Sequence, residues 1–399
     1  MSTFDGVITE IPDISVDYFK EENYFAKAFF LSHIHSDHTE GLFEEIFVNH
    51  LKETNKYVYM SELTKLLLTP KLKPSNSDIL WHIKTLSLKY STLITENDVN
   101  VSVSLLPTGH CAGAVMFLFE TNSKRILYTG DIRIENEGFM KYRRLHADYD
   151  ESVVKQIDTL YLDTTFLNPV YDWFPNRAES AKKICDIIQD WLIKDKNNST
   201  FIKLSAVCGS EQLFIAIYEK LKEKIYVHKE YEDVYSKIPE MENVYTFDGN
   251  SSRIHASQKF GCCHLCRGNK ILQISPTALY WTKDKFVIDK DQQLCISEVG
   301  DYSVRVCYSC HSSYSEIKYL LKYLKPKKVV ACVDHKHNDF VSTFINNYNK
   351  SSNETFDSDK EDSEPLIIEP EDESLDKCSQ SSDDSLLPCT PPEKYPKLS

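Results

Sequence analysis

The chain has 399 residues, 41% hydrophobic and 12% aromatic, enough to bury a sizeable core and most simply divided into two structural units. No N-terminal apolar stretch precedes a cleavage site, and no apolar run reaches the roughly 18 residues of a membrane-spanning helix, so secretion and membrane insertion are not expected. The net charge of −14 does not exclude a nucleic-acid partner: residues 350–399 hold 14 acidic and 5 basic side chains, a net of −9, and the rest carries −14 + 9 = −5. Twelve cysteines without a secretion signal read as reduced thiols or metal ligands, in the cytosol or nucleus.

In chain order, "AKAFFLS" is an apolar strand ending at Ser32, followed by "HIHSDH" and then by helix-like spacing in "TEGLFEEIF". "VNVSVSLLPTGH" alternates, runs apolar, and breaks at Pro107, Gly109 and His110. "KRILYTGD" is a short strand ending in Asp131, and "DTLYLDTTF" another ending in Asp163. "PNRAESAKKICDIIQDWLIKD" and "SEQLFIAIYEKLKEK" are amphipathic helices separated by β-like pieces such as "KIYVHK". "DYSVRVCYSCHSSYSEI" is a later strand that breaks at His311 and turns helical; "KKVVACVD" is a last short strand. Strands alternating with helices indicate an α/β fold, and each strand delivers a His or Asp at its C-terminal end, where neighbouring strands can gather side chains over a sheet edge. After about Tyr348 the chain is acidic and rich in Ser and Pro, a composition that cannot bury enough apolar surface to order itself.

The clustered histidines carry chemistry. Imidazole and carboxylate suit Zn²⁺, and His33 and His35, two apart on an extended segment, can face the same side. His110 and Asp131 arrive from two further strand ends and complete a four-ligand set. Asp37 and His38 point to a second position, with Asp131 available as a bridge. The reaction class is metal-assisted hydrolysis.

"SHIHSDH", "TGH", "TGD" and the early Asp17 in "ISVDYF" resemble the successive motifs of the metallo-β-lactamase superfamily. The resemblance implies an αββα sandwich in which Asp17 orients the histidine loop rather than binding metal. "YLDTTF" with Asp163 and "CHSSYSEI" with His311 are similar to motifs A and B of the β-CASP nucleases, which carry a cap domain inserted into that sandwich. On that resemblance residues 1–168 are the first part of the metallo-β-lactamase domain, 169–298 the β-CASP insertion, 299–348 the return segment and 349–399 a disordered acidic tail. Asp163 and His311 would form a pair able to protonate a leaving oxygen. Val333 falls at motif C, where the DNA-acting branch resembles a valine and RNA-processing members a histidine; His335 and His337 lie close by. With valine there, the resemblance implies that the second position lacks one ligand and takes Zn²⁺ or Mg²⁺ more weakly. Ser36 and Ser210 stand where relatives carry lysine, so phosphate-binding charge has to come from elsewhere.

The resemblance further implies a zinc-dependent nuclease acting on DNA ends, hairpins and overhangs in non-homologous end joining, with the 5′-exonuclease type as its competitor. Asp37, Asp163 and His311 are its expected catalytic residues. A structural zinc in the insertion is expected on His228, His255, Cys263 and Cys266, the last two supplying a C-x-x-C spacing. Ser379 in "KCSQSSDD" precedes Gln380, the dipeptide that regulators of the DNA-dependent protein kinase type phosphorylate. The expected protein is a nuclear monomer without a membrane partner.

Overall fold

The run Ala28–Phe30 has no polar face because both of its faces are buried: Ala28 and Phe30 enter one core, Phe29 another. The computed structural model in which this is seen describes residues 2–150, 152–260, 270–285, 287–289, 292–294, 296–300, 302–333 and 339–358.

Four parallel strands form the first sheet in sequence order: β1 (Ile14–Val16), β2 (Ala28–Phe30), β3 (Tyr57–Ser61) and β4 (Ile83–Leu86). Helices α1 (Glu45–Thr54) and α2 (Glu62–Leu68) interleave with them, the second capped by the Ser61 hydroxyl, which accepts from the Thr64 N–H. The second sheet has six strands. It contains β5 (Thr92–Ile94), β6 (Val101–Pro107), β7 (Val115–Glu120), β8 (Arg125–Tyr128), β9 (Thr159–Leu162) and the late Lys328–Ala331, with β5 at one edge and the late strand beside β9 at the other.

Period-two alternation builds the layers. Val115, Phe117 and Phe119 of β7 and Ile126 and Tyr128 of β8 meet Val16, Phe30 and Tyr59 of the first sheet. Met116, Leu118 and Leu127 point the other way, against Ile317, Leu320, Val341 and Ile345 of two C-terminal helices. The other face of the first sheet packs on Phe47, Leu51 and Leu67 of α1 and α2. The order is helix, sheet, sheet, helix: an α/β sandwich.

Between β9 and the return lies a seven-stranded sheet preceded by α3 (Arg177–Lys194). Its strands are β10 (Ser199–Lys203), β11 (Ile225–Val227), β12 (Tyr245–Thr246), β13 (Ile254–Ser257) and β14 (Ile271–Thr277), with β17 (Ile296–Gly300) and β18 (Ser303–Cys307) after the small hairpin β15 (Val287–Asp289) and β16 (Gln292–Leu294). Helices α4 (Glu211–Leu221) and the short α5 (Glu232–Tyr235) lie between its strands in sequence. The return expected at residue 299 falls within β17. The strand "DYSVRVC", read as part of the first sandwich, pairs in parallel with β14 from Gln273↔Ser303 to Thr277↔Cys307. The sandwich resumes with α6 (Tyr314–Leu324), whose N-terminus is a capping box between Ser313 and Glu316, and with the final strand β19 (Lys328–Ala331). Helix α7 (Asp339–Ser358) continues past 348, where the tail was expected to begin; residues 359–399 lie outside the described residues.

Candidate metal centre

The site grows from a buried carboxylate. Asp17, just past β1, has φ +56°, a left-handed conformation that aspartate tolerates better than most residues. Its carboxylate accepts from the Ser32 N–H (2.7 Å), the Ser32 hydroxyl (2.6 Å), the Tyr128 hydroxyl (2.8 Å) and His38 Nδ1 (2.8 Å). These four bonds fix the start of the histidine loop after β2.

On that base, four donor atoms converge. His33 Nε2 is 3.1 Å from His35 Nδ1, His110 Nε2 is 3.0 Å from His35 Nδ1, and Asp131 Oδ2 is 3.6 Å from His33 Nε2 and 3.4 Å from His110 Nε2. A tetrahedral ion with bonds of about 2.0–2.1 Å has ligand–ligand edges of about 3.3–3.4 Å, and the observed separations bracket that value. His33 is fully buried and His110 and Asp131 nearly so, and all four atoms lie within 4.8 Å of one another. The donor set fits a divalent metal.

The rings are aimed from behind. A carbonyl can only accept, so His35 Nε2 donates to Cys208 O (3.2 Å) and His110 Nδ1 donates to Cys310 O (2.8 Å), leaving Nδ1 of one and Nε2 of the other as lone pairs toward the cluster. Ser32 Oγ, itself donating to Asp17, accepts from His33 Nδ1 at 2.9 Å. Neither Cys208 nor Cys310 has a sequence signature for this role, because it is a backbone oxygen that acts.

A second position is gathered less tightly. His38 donates through Nδ1 to Asp17; its buried Nε2 has no hydrogen-bond partner among the described residues and lies 3.3 Å from Asp131 Oδ1 and 3.9 Å from Asp37 Oδ2, and although burial pulls its pKa down, Asp131 and Asp17 push it well above the usual imidazole value. Once deprotonated, that nitrogen would join the facing carboxylates as a donor set suited to a cation. Asp37, however, is not in any described group whose donor atoms all lie within 4.8 Å, and its Oδ2 accepts the Ser2 N–H at 2.8 Å. Val333 is buried, its backbone joined to Thr164 on both sides; His335 and His337 lie outside the described residues.

Beside the cluster, His311 Nδ1 is 2.9 Å from Asp163 Oδ2, and His311 Nε2 is 3.9 Å from Asp131 Oδ2. Asp163 is locked by the Thr165 hydroxyl and the Ile132 N–H. Burial pulls the His311 pKa down, but Asp163 and then Asp131 outweigh it and push it up to about 9. Burial raises the Asp163 carboxyl while His311 lowers it, and the imidazole prevails.

Two residues not foreseen from the sequence complete the setting. Arg133, almost wholly buried, donates to Glu316 (2.8 Å), to the carbonyl of His311 (3.2 Å) and to the carbonyl of Pro175 (3.1 Å). Its signal was legible as a cation between Ile132 and Ile134. The Lys71 ammonium donates to the Ile34 carbonyl at 2.9 Å, between His33 and His35, and supplies a positive charge in a loop where Ser36 supplies none.

The expected structural zinc is only partly visible. His228 is half-exposed, with Glu230 at 3.9 Å; His255 is buried and its Nε2 donates to the Ser252 carbonyl at 2.9 Å. Among the described residues neither belongs to a metal-sized cluster; Cys263, Cys266 and Ser379 lie outside them.

Comparison with known proteins agrees with the geometry. Residues 239–337 match the family "DNA repair metallo-beta-lactamase". The chain is 33% identical over 351 residues to human "Protein artemis", covering 82% of this chain and 48% of that protein. It is 32% identical to the Danio rerio protein of the same name (82% and 53%) and 33% identical over 323 residues to human "DNA cross-link repair 1A protein" (77% and 28%). The chain thus spans about half the length of the first of these relatives. A crystal structure of a protein of unknown function from Enterococcus faecalis shares the fold, with a TM-score of 0.50 over 76% of this chain and 75% of that one, at 16% identity. Among the described residues no helix is long and apolar enough to cross a membrane.

Proposed function

The chain belongs to the DNA repair metallo-β-lactamase family, and from that premise we propose that it is a zinc-dependent DNA nuclease that opens hairpins and trims overhangs and 5′ ends in double-strand break repair by end joining. The observation that carries this reading is the tetrahedral donor set of His33, His35, His110 and Asp131 with the His311–Asp163 pair at its rim. Zinc held there supplies Lewis acidity toward a phosphoryl oxygen and lowers the pKa of water; a second, weaker Zn²⁺ or Mg²⁺ would draw on His38, Asp131 and Asp37.

The chain's own residues do the rest. Asp37 accepts the proton of the attacking water. His311, charged through Asp163 and partly open to solvent at the side chain (24%), gives its Nε2 proton to the departing 3′ oxygen and leaves a 5′-phosphate. Lys71 and Arg133 hold the histidine loop and the His311 segment by their carbonyls. The protein would act as a nuclear monomer on DNA, with a kinase of the DNA-dependent protein kinase type acting at Ser379.

The likeness to the cross-link repair protein favours a second reading, a 5′ exonuclease acting at cross-links or chromosome ends. The test is incubation with a hairpin-ended duplex and a 5′-phosphorylated single strand, with and without Asp37→Asn. Hairpin opening lost in the variant supports the first reading; 5′ shortening with intact hairpins moves it to the second. Binding without any cutting by the unsubstituted chain would leave a DNA-end scaffold.

A further inference from the structure

A cavity of about 620 Å³ opens at the β5 edge of the six-stranded sheet, and none of His33, His35, His110 and Asp131 lines it. Its floor is the end of β6, from Ser104 to Pro107, and its rim carries Lys89, Lys141, Arg143, Arg144 and Lys155. The two carboxylates at this rim are already engaged: Glu120 with Arg125 at 2.8 Å and Asp148 with Arg143 at 3.7 Å. That leaves Lys89, Lys141 and Lys155 without a carboxylate among the described residues. The Arg144 guanidinium is held only by neutral oxygens, Ser91 Oγ at 2.7 Å and the Lys89 carbonyl at 2.5 Å. The Ser91 and Ser104 hydroxyls, 2.7 Å apart, sit among these cations. Four uncompensated positive charges around one concavity repel one another, and an oriented guanidinium beside hydroxyls is what a phosphate oxygen requires.

The position of the cavity identifies the phosphate. Pro107 stands three positions before His110, so its floor ends within about 10 Å of backbone from a metal-ligand residue. The Tyr142 hydroxyl, donating to the Pro107 carbonyl at 2.7 Å, fastens the rim segment to that strand end. In a B-form duplex, where the phosphates of one strand recur about every 3.4 Å along the axis, this is at most roughly three nucleotides. We propose that the Lys89–Lys141–Arg144–Lys155 cavity is a subsite for the backbone phosphates of a DNA strand several nucleotides beyond the scissile bond. The assignment rests on the nuclease reading above for its choice of nucleic acid.

The test uses the full chain and a phosphorothioate-linked single strand that resists cutting. Binding is followed by fluorescence anisotropy across a salt series, for the unsubstituted protein and for Lys89→Gln/Lys141→Gln/Lys155→Gln. Each lost phosphate contact removes about 0.7 from the slope of log affinity against log salt, so the triple variant should be shallower by about two. The gain in affinity from a short to a long strand should shrink with it. Ser91→Glu, which offers Arg144 an internal carboxylate, should give the same direction without removing a lysine. Unchanged slopes in both variants, with thermal midpoints intact, overturn the subsite while the nuclease reading stands. If inorganic polyphosphate raises the melting temperature of the unsubstituted protein alone while DNA slopes agree, the cavity serves a different anion and the DNA assignment falls. A parallel hairpin-cutting assay separates the readings: an unsubstituted chain that neither binds nor cuts DNA overturns both, and one that binds without cutting overturns only the nuclease.

Discussion

Replacing Arg133 by Met tests whether one buried cation holds the His311 segment in place. Its guanidinium meets Glu316 at 2.8 Å and the carbonyls of His311 and Pro175 at 3.2 and 3.1 Å, in a setting where the Arg133 side chain is 1% exposed and that of Glu316 12%. Methionine fills much of the volume but leaves the Glu316 carboxylate and two carbonyls without their donor. Breaking one side of a buried pair costs about 3–5 kcal/mol. Burial already raises the Glu316 pKa, so protonation relieves part of that loss and places the expected value near the lower end, about 3 kcal/mol. Glu316→Gln should cost less, since the amide oxygen can still accept from the Ser313 N–H. The double variant should lose about 1–3 kcal/mol less than the sum of the singles. Urea unfolding of the four proteins measures this, and DNA cutting by Arg133→Met should fall in kcat because the His311 carbonyl loses its anchor. A coupling below about 0.5 kcal/mol would refute the argument: Arg133 would then be filling space, not joining segments.

Other outcomes follow from the same geometry. Asp131→Asn or His110→Ala should lose the metal retained by the unsubstituted protein after dialysis, measured by elemental analysis, because each removes one edge of the tetrahedral set. The His311 pKa, about 9 in the folded protein, lies above its unfolded value of about 6.5, so its ion pair contributes stability in full below pH ~6.5 and loses it as pH rises through 9. That contribution is about 3 kcal/mol, and the fall in stability between pH 7 and 10 should flatten in His311→Gln. Tyr128→Phe removes a 2.8 Å bond to buried Asp17 and should cost about 1.5–3 kcal/mol in chemical denaturation, with the melting temperature lowered accordingly.

The four-donor cluster was legible in the sequence because its members carry their chemistry in their side chains and follow apolar runs that read as strands. His33, His35, His110 and Asp131 were each read at a strand end, and each is found there. What failed is information that a strand does not contain. The run Ser303–Cys307 alternates as a strand of either sheet could, and nothing in it says that its partner is β14 rather than β9. Its misassignment still delivered His311 to the right end, since direction survives where pairing does not. The orienting groups behind His35 and His110 are carbonyls, invisible in any residue pattern. His255 donates its Nε2 proton to the Ser252 carbonyl, as His35 does to that of Cys208, which turns Nδ1 into the acceptor nitrogen, while Cys263 and Cys266 lie outside the described residues.

Those two carbonyls have a thermodynamic meaning. Cys208 lies between β10 and α4 of the seven-stranded unit, and Cys310 follows β18, its last strand; each fixes the ring of a histidine of the four-donor cluster in the sandwich. Seating that unit therefore orders the ligand rings before the ion arrives, and the ion, by holding the rings, favours the seated arrangement. Linkage requires the two effects to be equal in free energy. Any ligand that pressed the seven-stranded unit home would tighten an ion at this cluster by the same factor by which the ion tightened it.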